Sequence, residues 1–351
     1  MTSTWSESLV LAEIQRAFES LMPIGARNFL DDGAWLPPCN PDNTRVVSCD
    51  AFQENNDFIL GVEPLDSVGH RAIVQNLSDL AAMGATPVGF VWSLEIPLSW
   101  LDGSPSFLSE FCRGAATVCK EFALPLYGGD ISLSSQNFGC TITIFGDVEK
   151  KVPLSRQGAS PGDLLYIGKS LGFSAFGLKI LLKDRPSLSD RNAVNEYVRN
   201  LTTWQKMAIF EHLYPTPQIE LAKHLLPIAT SCTDISDGLS RDLHRICRAS
   251  AVGAQLQHLS NAAYTLSNEK DWRDLVLFGG EDYALLFTIR AQDKKRLEQL
   301  SQKYQPIYLG TIIAAPIAQV SLLENGLEIL VPDNGFDHFS SSCPEATHSY
   351  S

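Results

Sequence analysis

Aspartate stands out in this chain, in six short segments where it lies in a turn-like setting or on a helix face. The residues are Asp31 with Asp32, Asp50, Asp79, Asp130, Asp234 and Asp237. Carboxylates are hard oxygen ligands, and several of them at one place would repel each other unless a hard cation lay between them. Mg²⁺ held by a few carboxylates, with substrate phosphates completing the shell, is the usual arrangement in phosphoryl transfer. The pattern therefore indicates metal-assisted chemistry on a phosphate.

A structural interpretation competes with this one at each single position. Aspartate beside glycine is ordinary turn chemistry, and Gly33, Gly129 and Gly238 stand next to or near these aspartates. Asp79 differs, because it falls inside a helical pattern, where aspartate costs roughly half a kcal/mol relative to better helix formers. Its presence there calls for another reason, and metal binding would supply one.

Other catalytic patterns are missing from the sequence. It contains no GxxxxGK[ST] phosphate loop, no kinase glycine loop with a following HRD, and no GxSxG nucleophile motif. Glycines between Gly168 and Gly177 form a weak phosphate-loop signal, for which close helix packing is an equal explanation. Eight cysteines occur without a CxxC pair, which favours free thiols in a reducing cytoplasm.

Length and composition predict a soluble two-domain protein. The chain has 351 residues, 44% of them hydrophobic, which is more than one ordinary core needs. With 27 basic and 40 acidic residues it carries a net charge of −13, which argues against nucleic acid as a partner. The start of the chain does not resemble a signal peptide, and the most apolar stretch, 88–100, is interrupted by Glu95 and Pro97, so no membrane association is expected.

Periodicity places the aspartates on alternating helices and strands. Helices are expected over 7–21, 66–84, 107–122 and 239–249, and strands over 45–49, 88–96, 124–127, 140–146, 164–167, 228–230 and 284–289. In this interpretation Asp50 ends a strand, Asp130 follows one in a turn, and Asp79 lies on the polar side of the second helix. A break is expected near 150–153, and the polar segment 184–200 is a flexible or helical insertion. The irregular alternation favours an α+β fold with mixed sheets.

One run of residues carries a family resemblance. Asn76–Ala85 reads NLSDLAAMGA, a sequence specific to thiamine-monophosphate kinases within the superfamily of aminoimidazole ribonucleotide synthetase, selenophosphate synthetase and a hydrogenase maturation protein. Further matches follow in the family's order at 31–34, 128–130, 155–159, 234–239, 279–283 and 335–339. The chain resembles this family over nearly its whole length.

The resemblance implies a two-domain synthetase-like fold and a homodimer. The expected N-terminal domain, 1–150, holds metal and ATP on a mixed sheet that pairs with its copy in the dimer. The expected C-terminal domain, 151–351, is an α/β sandwich that closes the active site.

The resemblance also implies roles for individual residues. Mg²⁺ would be held by Asp31, Asp32, Asp50, Asp79, Asp130 and Asp234. The co-substrate ATP would meet Gly129, Asp130, Arg156, Ser236 and Asp237, of which Asp237 and Arg156 are the candidate catalytic residues. The acceptor would contact Asp57, Glu281 and Phe336.

The sequence departs from the family pattern near the expected acceptor. Leu30 replaces the glycine before the first aspartate pair, Asp57 stands where His is common, and Ile131-Ser132-Leu133 replaces Thr-Thr-Arg. Ala284 also replaces a usual Glu. The changes at Asp57 and at Ile131-Ser132-Leu133 each remove a basic or potentially basic group that would favour binding of a phosphate-bearing acceptor.

Three functions therefore compete. The first is an ATP- and Mg²⁺-dependent thiamine-monophosphate kinase that makes thiamine diphosphate and ADP. The second is a paralogue of the same fold that uses ATP on another acceptor, such as a carboxylate or amide oxygen. A non-catalytic nucleotide-binding protein is the least favoured, because the aspartates expected to bind metal are present.

Overall fold

The computed structural model describes residues 7–23, 36–102, 106–149, 152–263, 266 and 269–336. The chain divides into two compact units. Unit 1 comprises Met1–Ser155 with Phe176–Pro227, and unit 2 comprises Arg156–Ala175 with Ile228–Ser351. None of the helices in the described ranges combines the length and the apolar character that a membrane span requires.

The helices and strands follow one another in the order that periodicity suggests, with several additions. The helices are α1 (Glu7–Phe18), α2 (Leu65–Ala82), α3 (Phe107–Glu121), α4 (Phe173–Asp184), α5 (Arg191–Tyr197), α6 (Thr203–Leu213), α7 (Ile219–Leu225), α8 (Leu239–Ser250), α9 (Leu259–Ala263), α10 (Trp272–Phe278) and α11 (Lys294–Tyr304). The strands are β1 (Thr44–Gln53), β2 (Thr86–Pro97), β3 (Leu126–Ser134), β4 (Gly139–Val148), β5 (Leu164–Ile167), β6 (Ala229–Ile235), β7 (Gly253–Leu256), β8 (Ala284–Ile289), β9 (Ile307–Ile313), β10 (Val320–Glu324) and β11 (Leu327–Leu330).

Each unit is built on one mixed sheet, which confirms the predicted α+β fold class. In unit 1 the order is β1-β4-β2-β3, with β2 and β3 parallel and the other pairs antiparallel. In unit 2 seven strands follow the order β11-β10-β7-β9-β5-β8-β6, and only the β10–β7 pair is parallel.

The division of the chain differs from the expected boundary at residue 150. The first crossing between units falls at Ser155, close to the expected break, but 176–227 returns to unit 1. Within this segment α6 and α7 pack against α2. The polar segment 184–200 contains α5, so its helical alternative is the correct one. Asp190 begins α5 by accepting hydrogen bonds from the N–H groups of Asn192 and Ala193.

The central element of unit 1 is α2, which lies between the sheet and α3. Its buried stripe includes Ile73, Leu77 and Leu80, as the three- and four-residue spacing predicts. A Cβ at Gly69 would lie 2.0 Å from the carbonyl oxygen of Phe111, and one at Gly114 would lie 1.8 Å from that of Asp66. These two glycines therefore let α2 and α3 approach more closely than side chains would permit.

The end of α2 shows why the family-specific run contains a glycine. Gly84 has a φ of +71°, and its N–H bonds to the carbonyl of Ala81 while the N–H of Ala85 reaches that of Leu80. This pair of bonds is the Schellman arrangement, which requires a left-handed residue after the helix. The last turn of α2, which carries Asp79, is thereby fixed against the start of β2.

Two strand ends predicted from the sequence are wrong. Asp50 lies inside β1, opposite Ile142 of β4, and Asp130 lies inside β3, opposite Ser93 of β2. The sheet hydrogen bonds continue through both positions. The glycine pair before Asp130 is therefore not a turn: a Cβ at Gly129 would lie 1.9 Å from the carbonyl oxygen of Trp92, so close strand packing requires the glycine.

Candidate active site

A polar surface in unit 1 forms where β1 meets α2. The Ser48 hydroxyl donates a short hydrogen bond to Oδ2 of Asp79. Asp50 lies two residues further along β1 and therefore on the same face of the strand as Ser48. One helical turn before Asp79, the side-chain amide of Gln75 donates to the carbonyl of Ala51 at 3.2 Å. This surface, Ser48, Asp50 and Asp79, offers only oxygen ligands.

The other candidate metal ligands do not join this surface within the described part of unit 1. Strand register places Asp130 beside Ser93 and Thr141, on the sheet face opposite to Ser48 and Asp50. Asp31 and Asp32 lie outside the described residues. Among the residues that the structure does describe, no three His, Cys, Asp or Glu side chains are grouped as a metal site. The role of each aspartate in metal binding stays a prediction.

Asp57 lies in the turn that follows β1 and takes part in building it. Its Oδ2 accepts hydrogen bonds from the N–H of Gln53 at 2.7 Å and from the side chain of Asn56 at 3.1 Å. Its carbonyl accepts a 2.8 Å bond from Arg71, whose side chain is 1% exposed and is paired with Glu63. The Asp57 carboxylate is thus engaged by donors of its own turn.

The buried Arg71–Glu63 pair fixes this turn to α2. Burial raises the pKa of Glu63, but attraction to Arg71, a contact with His212 and the N–H of Ile59 outweigh it and leave the pKa below its usual value. Glu63 is therefore charged in the folded protein, and Arg71 meets a permanent partner. Arg71 lies on α2, the helix from which Asp79 also projects.

In unit 2 the candidate residues gather around the turn that follows β6. We call the dipeptide Ser236-Asp237 the phosphate turn, after the phosphate contact that the sequence predicts for it. The carbonyl of Ser236 accepts the N–H of Glu281 at 2.8 Å, and the carbonyl of Asp237 accepts the N–H of Phe336 at 3.0 Å. Two of the three candidate acceptor-binding residues, Glu281 and Phe336, are therefore held directly against the phosphate turn by backbone hydrogen bonds.

Glycines permit these close contacts. A Cβ at Gly280 would lie 2.5 Å from the carbonyl oxygen of Ser236, and a Cβ at Gly335 would lie 2.2 Å from that of Asp237. Glu281 itself has a φ of +62°, an uncommon conformation for a non-glycine residue. The sequence motif Gly279–Tyr283 therefore follows a chain path on which position 280 has no room for a side chain.

The N–H groups of the phosphate turn face a buried carboxylate on α8. Oδ2 of Asp242 accepts from Ser236 at 3.2 Å and from Asp237 at 3.1 Å. Arg245 bonds to Asp242 and to Asp237, each at 2.6 Å. Burial and the neighbouring Asp234 and Asp237 carboxylates together raise the pKa of Asp242 to about 7, against the opposing effect of Arg245.

Arg156 and Asp234 lie on or beside the same strand. Asp234 is buried near the end of β6, and Nε of Arg156 donates to the hydroxyl of Thr233 at 3.1 Å. The Arg156 side chain is exposed. Ser250 holds this loop in place, because its hydroxyl donates to the carbonyl of Arg156 and accepts from the N–H of Gly158. Unit 2 thus brings Arg156, Asp234 and the phosphate turn together.

The weak phosphate-loop signal between Gly168 and Gly177 has a structural explanation. The carboxylate of Asp282 accepts hydrogen bonds from the N–H of Gly172 at 2.7 Å and of Ser174 at 3.2 Å. It caps the start of α4, which is the place where a phosphate would have bound. The segment therefore serves helix capping.

Known proteins resemble this chain along most of its length. Residues 30–148 match the family model of the AIR synthase related protein, N-terminal domain. A thiamine-monophosphate kinase of Synechococcus elongatus is 33% identical over 319 residues, which cover 89% of this chain and 91% of the relative. The chain belongs to the thiamine-monophosphate kinase family.

Solved structures of thiamine-monophosphate kinases share the fold. The enzyme of Stenotrophomonas maltophilia K279a superimposes with a TM-score of 0.74 at 26% identity, over 90% of this chain and 96% of its own. AaThiL complexed with AMPPCP and TMP has a TM-score of 0.70 at 27% identity, over 97% and 100%. Both the predicted family and the predicted fold are confirmed.

Three residues at these sites were missed by the sequence interpretation of this family member. Ser48 stands two residues before Asp50, so alternation along a strand was a usable signal. Asp242 and Arg245 follow the phosphate turn with a spacing of three on α8, which places them on one helix face. That spacing alone is common on helix surfaces, so only the fold reveals what the pair contacts.

Proposed function

We propose that this protein transfers a phosphoryl group from ATP to thiamine monophosphate, making thiamine diphosphate and ADP. The observation that carries the proposal is the nearly full-length relation to thiamine-monophosphate kinases. A related structure holds an ATP analogue and TMP and is similar over 97% of this chain, which supports the same pair of substrates here. The reaction is direct transfer, in which catalysis consists of positioning and charge neutralisation.

We propose that Asp50 and Asp79 hold Mg²⁺. Asp31, Asp32 and Asp234 stay predicted ligands, and Asp130, which lies on the opposite face of the sheet, would bind a separate ion. The Ser48, Asp50 and Asp79 surface fits this ion, because Mg²⁺ favours oxygen donors and is commonly bound through one or two carboxylates. Bound Mg²⁺ would neutralise phosphate charge and orient the transferred group. The Ser48 hydroxyl donates to Oδ2 of Asp79 and so helps to fix the direction of that carboxylate.

In unit 2 we assign ATP phosphate contacts to Arg156, Ser236 and Asp237, and nucleotide contacts in unit 1 to Gly129 and Asp130. Arg156 supports this role, because its exposed side chain keeps most of its donors available beyond the single bond to Thr233. Glu281 and Phe336 are assigned to the acceptor, since their backbones bond to the phosphate turn.

Asp57 does not favour a different acceptor. Its carboxylate accepts the Gln53 N–H and the Asn56 amide, so its charge is already solvated by its own turn. The position substitutes a turn-forming group for the family's common histidine. The paralogue with a carboxylate or amide acceptor therefore gains no support from this residue.

We also propose a homodimer that acts in the cytoplasm. One face of the unit 1 sheet carries Val47, 59% exposed, opposite Phe145 of β4, with Val91 on the same face of β2. An open sheet face with apolar residues at these positions suits pairing with a second copy. The cysteines described in the structure are free thiols, which fits a reducing compartment. A Val47→Lys variant should shift the mass measured by light scattering from dimer to monomer.

The test of the function is turnover of thiamine monophosphate with MgATP. We expect thiamine diphosphate and ADP in equal amounts, and no product when EDTA removes the metal. ATP binding without thiamine diphosphate would refute the proposal. A parallel screen that follows ADP release with carboxylate and amide acceptors tests the paralogue directly, because a response from one of them alone would establish it.

A further inference from the structure

All four backbone polar groups of the phosphate turn are bonded within unit 2. The two N–H groups donate to Oδ2 of Asp242, and the two carbonyls accept from Glu281 and Phe336. A peptide segment bonded on both sides cannot rotate without breaking several bonds at once. The side chains of Ser236 and Asp237 therefore leave the turn in fixed directions.

The two N–H groups of the phosphate turn depend on Asp242 as their acceptor. It is fully buried, so its carboxylate cannot exchange these donors for water. One oxygen serves the two N–H groups, and the other accepts Nη1 of Arg245. No other residue type of this length supplies two strong acceptor oxygens.

Arg245 closes the arrangement into a ring. Its Nη2 reaches Oδ2 of Asp237, while its Nη1 holds Asp242. The planar guanidinium spans two carboxylates in a fixed geometry that an ammonium group does not reproduce. Asp237 is thus oriented twice, once through its backbone by Asp242 and once through its side chain by Arg245.

We propose that Asp242 and Arg245 are positioning residues that hold the phosphate turn in the geometry for phosphoryl transfer. This inference rests on the proposed function of Ser236 and Asp237. Neither residue is assigned a contact with substrate: Asp242 acts through the peptide groups of the turn, and Arg245 acts through the carboxylate of Asp237. Losing either one loosens the turn without removing a phosphate-binding side chain.

The first variants are Asp242→Asn and Arg245→Gln, with Arg245→Lys as the conservative replacement. An Asn at 242 can serve the two N–H groups or Arg245, but not both, because one of its ends is a donor. We expect kcat to fall about 10- to 100-fold in Asp242→Asn and Arg245→Gln, the range measured when supporting residues of a site are removed. Arg245→Lys should recover part of the loss, since it keeps the charge but not the fork.

Arg296→Gln is the matched control. Arg296 pairs with Asp293 at 3.2 Å with the same three-residue spacing as Arg245 and Asp242, but it is 55% exposed and lies away from the phosphate turn on α11. This change should leave kcat and the KM for ATP unaltered. Thermal unfolding of every variant separates a loss of positioning from a loss of folding, and Arg245, which is part-exposed, provides a test if Asp242→Asn does not fold.

Hydrogen exchange provides a readout that does not depend on turnover. Peptides covering 234–238 should exchange faster in Asp242→Asn than in the wild type. The neutral amide oxygen either holds the N–H groups of Ser236 and Asp237 more weakly than the carboxylate does, or turns to Arg245 and leaves them without an acceptor. Peptides from unit 1 should be unchanged. Calorimetry with MgAMPPCP should show weaker binding in Arg245→Gln than in Arg296→Gln.

The outcomes separate this inference from the proposed function. Unchanged kcat in folded Asp242→Asn and Arg245→Gln, or unchanged exchange at 234–238, would overturn the positioning role while leaving the kinase reaction in place. A wild-type protein that makes no thiamine diphosphate, combined with faster exchange in Asp242→Asn, would refute the reaction and retain the support of the turn. If Asp242→Asn and Arg245→Gln lose no more kcat than the control Arg296→Gln does, the positioning role is also overturned.

Discussion

The surface of Ser48, Asp50 and Asp79 in unit 1 and the phosphate turn in unit 2 position their aspartates in different ways. In unit 1, Asp50 and Asp79 project from a regular strand and a regular helix, and a side-chain bond from Ser48 sets the direction of Asp79. In unit 2, Asp237 projects from an irregular turn whose peptide groups are all bonded. The first region takes its geometry from secondary structure, whereas the second takes it from tertiary hydrogen bonds.

This difference predicts which changes each region tolerates. In unit 1 the backbone is held by the sheet and by the packing of α2, so a polar side chain can be replaced without moving the chain. In unit 2 the turn depends on neighbours distant in sequence, and small backbone changes at Gly280 or Gly335 reach the site directly. Function should therefore fail through side chains in unit 1 and through backbone in unit 2.

The largest effect is expected for Asp79→Asn. It removes one charge from a surface proposed to hold Mg²⁺, while the amide still accepts the Ser48 hydroxyl and preserves the fold. We expect kcat/KM for MgATP to fall on the order of 100-fold or more, with little change in unfolding temperature. Asp184→Asn is the control, an exposed aspartate on α4 that bonds Tyr197. Equal activity in the two variants would contradict metal binding at Asp79.

A pH measurement tests a partly buried histidine of unit 1, His70. Burial, helped by the charges of Arg191 and Arg71, lowers the pKa of His70 to about 4, although its bond to the carbonyl of Pro215 opposes the shift. His70 therefore becomes protonated near pH 6.5 in the unfolded chain but only near pH 4 in the folded chain. The free energy of unfolding falls as the pH is lowered through this window.

The test compares urea unfolding of the wild type with His70→Gln, which retains a donor for Pro215. The wild type should lose up to about 3 kcal/mol more than the variant between pH 6.5 and 4, from 1.36 kcal/mol per pKa unit. If the free energy of unfolding of the two proteins changed with pH in parallel, His70 would be protonated in the folded protein as readily as in the unfolded chain, which would contradict the prediction. The change should leave hydrogen exchange at the phosphate turn unaltered.

Gly335→Ala tests the backbone dependence of unit 2. The added methyl group would meet the carbonyl oxygen of Asp237 at 2.2 Å, so the turn or the chain at Phe336 must move. Overpacking of this kind costs about 1–3 kcal/mol, and we expect a several-fold loss of kcat with it. Gly128→Ala is the stability control, because nothing lies within 4 Å of its added Cβ. A stable and fully active Gly335→Ala would show that the turn adapts.

The same contrast explains what the sequence could predict. The helix that carries Asp79 was predicted to within two residues, because its apolar stripe and its glycine stop are local signals. The strands β5 and β8 were predicted at their observed bounds for the same reason, as short apolar runs between turn residues.

What failed depended on distant contacts. Asp50 and Asp130 were expected at strand ends, but their strands continue because a neighbouring strand bonds to them. The return of 176–227 to unit 1 follows from packing on α2, which no local pattern reveals. The support of the phosphate turn joins positions 236, 242, 281 and 336, so only the folded chain shows it.

The smallest effect on activity is expected at Asp57, whose turn in unit 1 is held by the same kinds of hydrogen bond as the phosphate turn in unit 2. Here too a carboxylate accepts a backbone N–H, that of Gln53, and a buried charged group, Arg71, holds the carbonyl. Asp57→Asn keeps an oxygen for Gln53 and removes only the charge. If the turn is what matters, the KM for thiamine monophosphate should stay within about twofold of the wild type, since neither ground-state nor transition-state binding is altered.

Asp57→Ala and Asp57→His complete this test. Each removes the acceptor oxygens, and the lost hydrogen bond should cost about 1 kcal/mol of stability. Restoring the histidine common in the family should therefore weaken the turn rather than improve turnover. A marked fall in the KM for thiamine monophosphate in both Asp57→Asn and Asp57→His would mean that the Asp57 carboxylate repels the acceptor's phosphate. The turn at Asp57 and the phosphate turn would then be alike only in how their backbones are bonded.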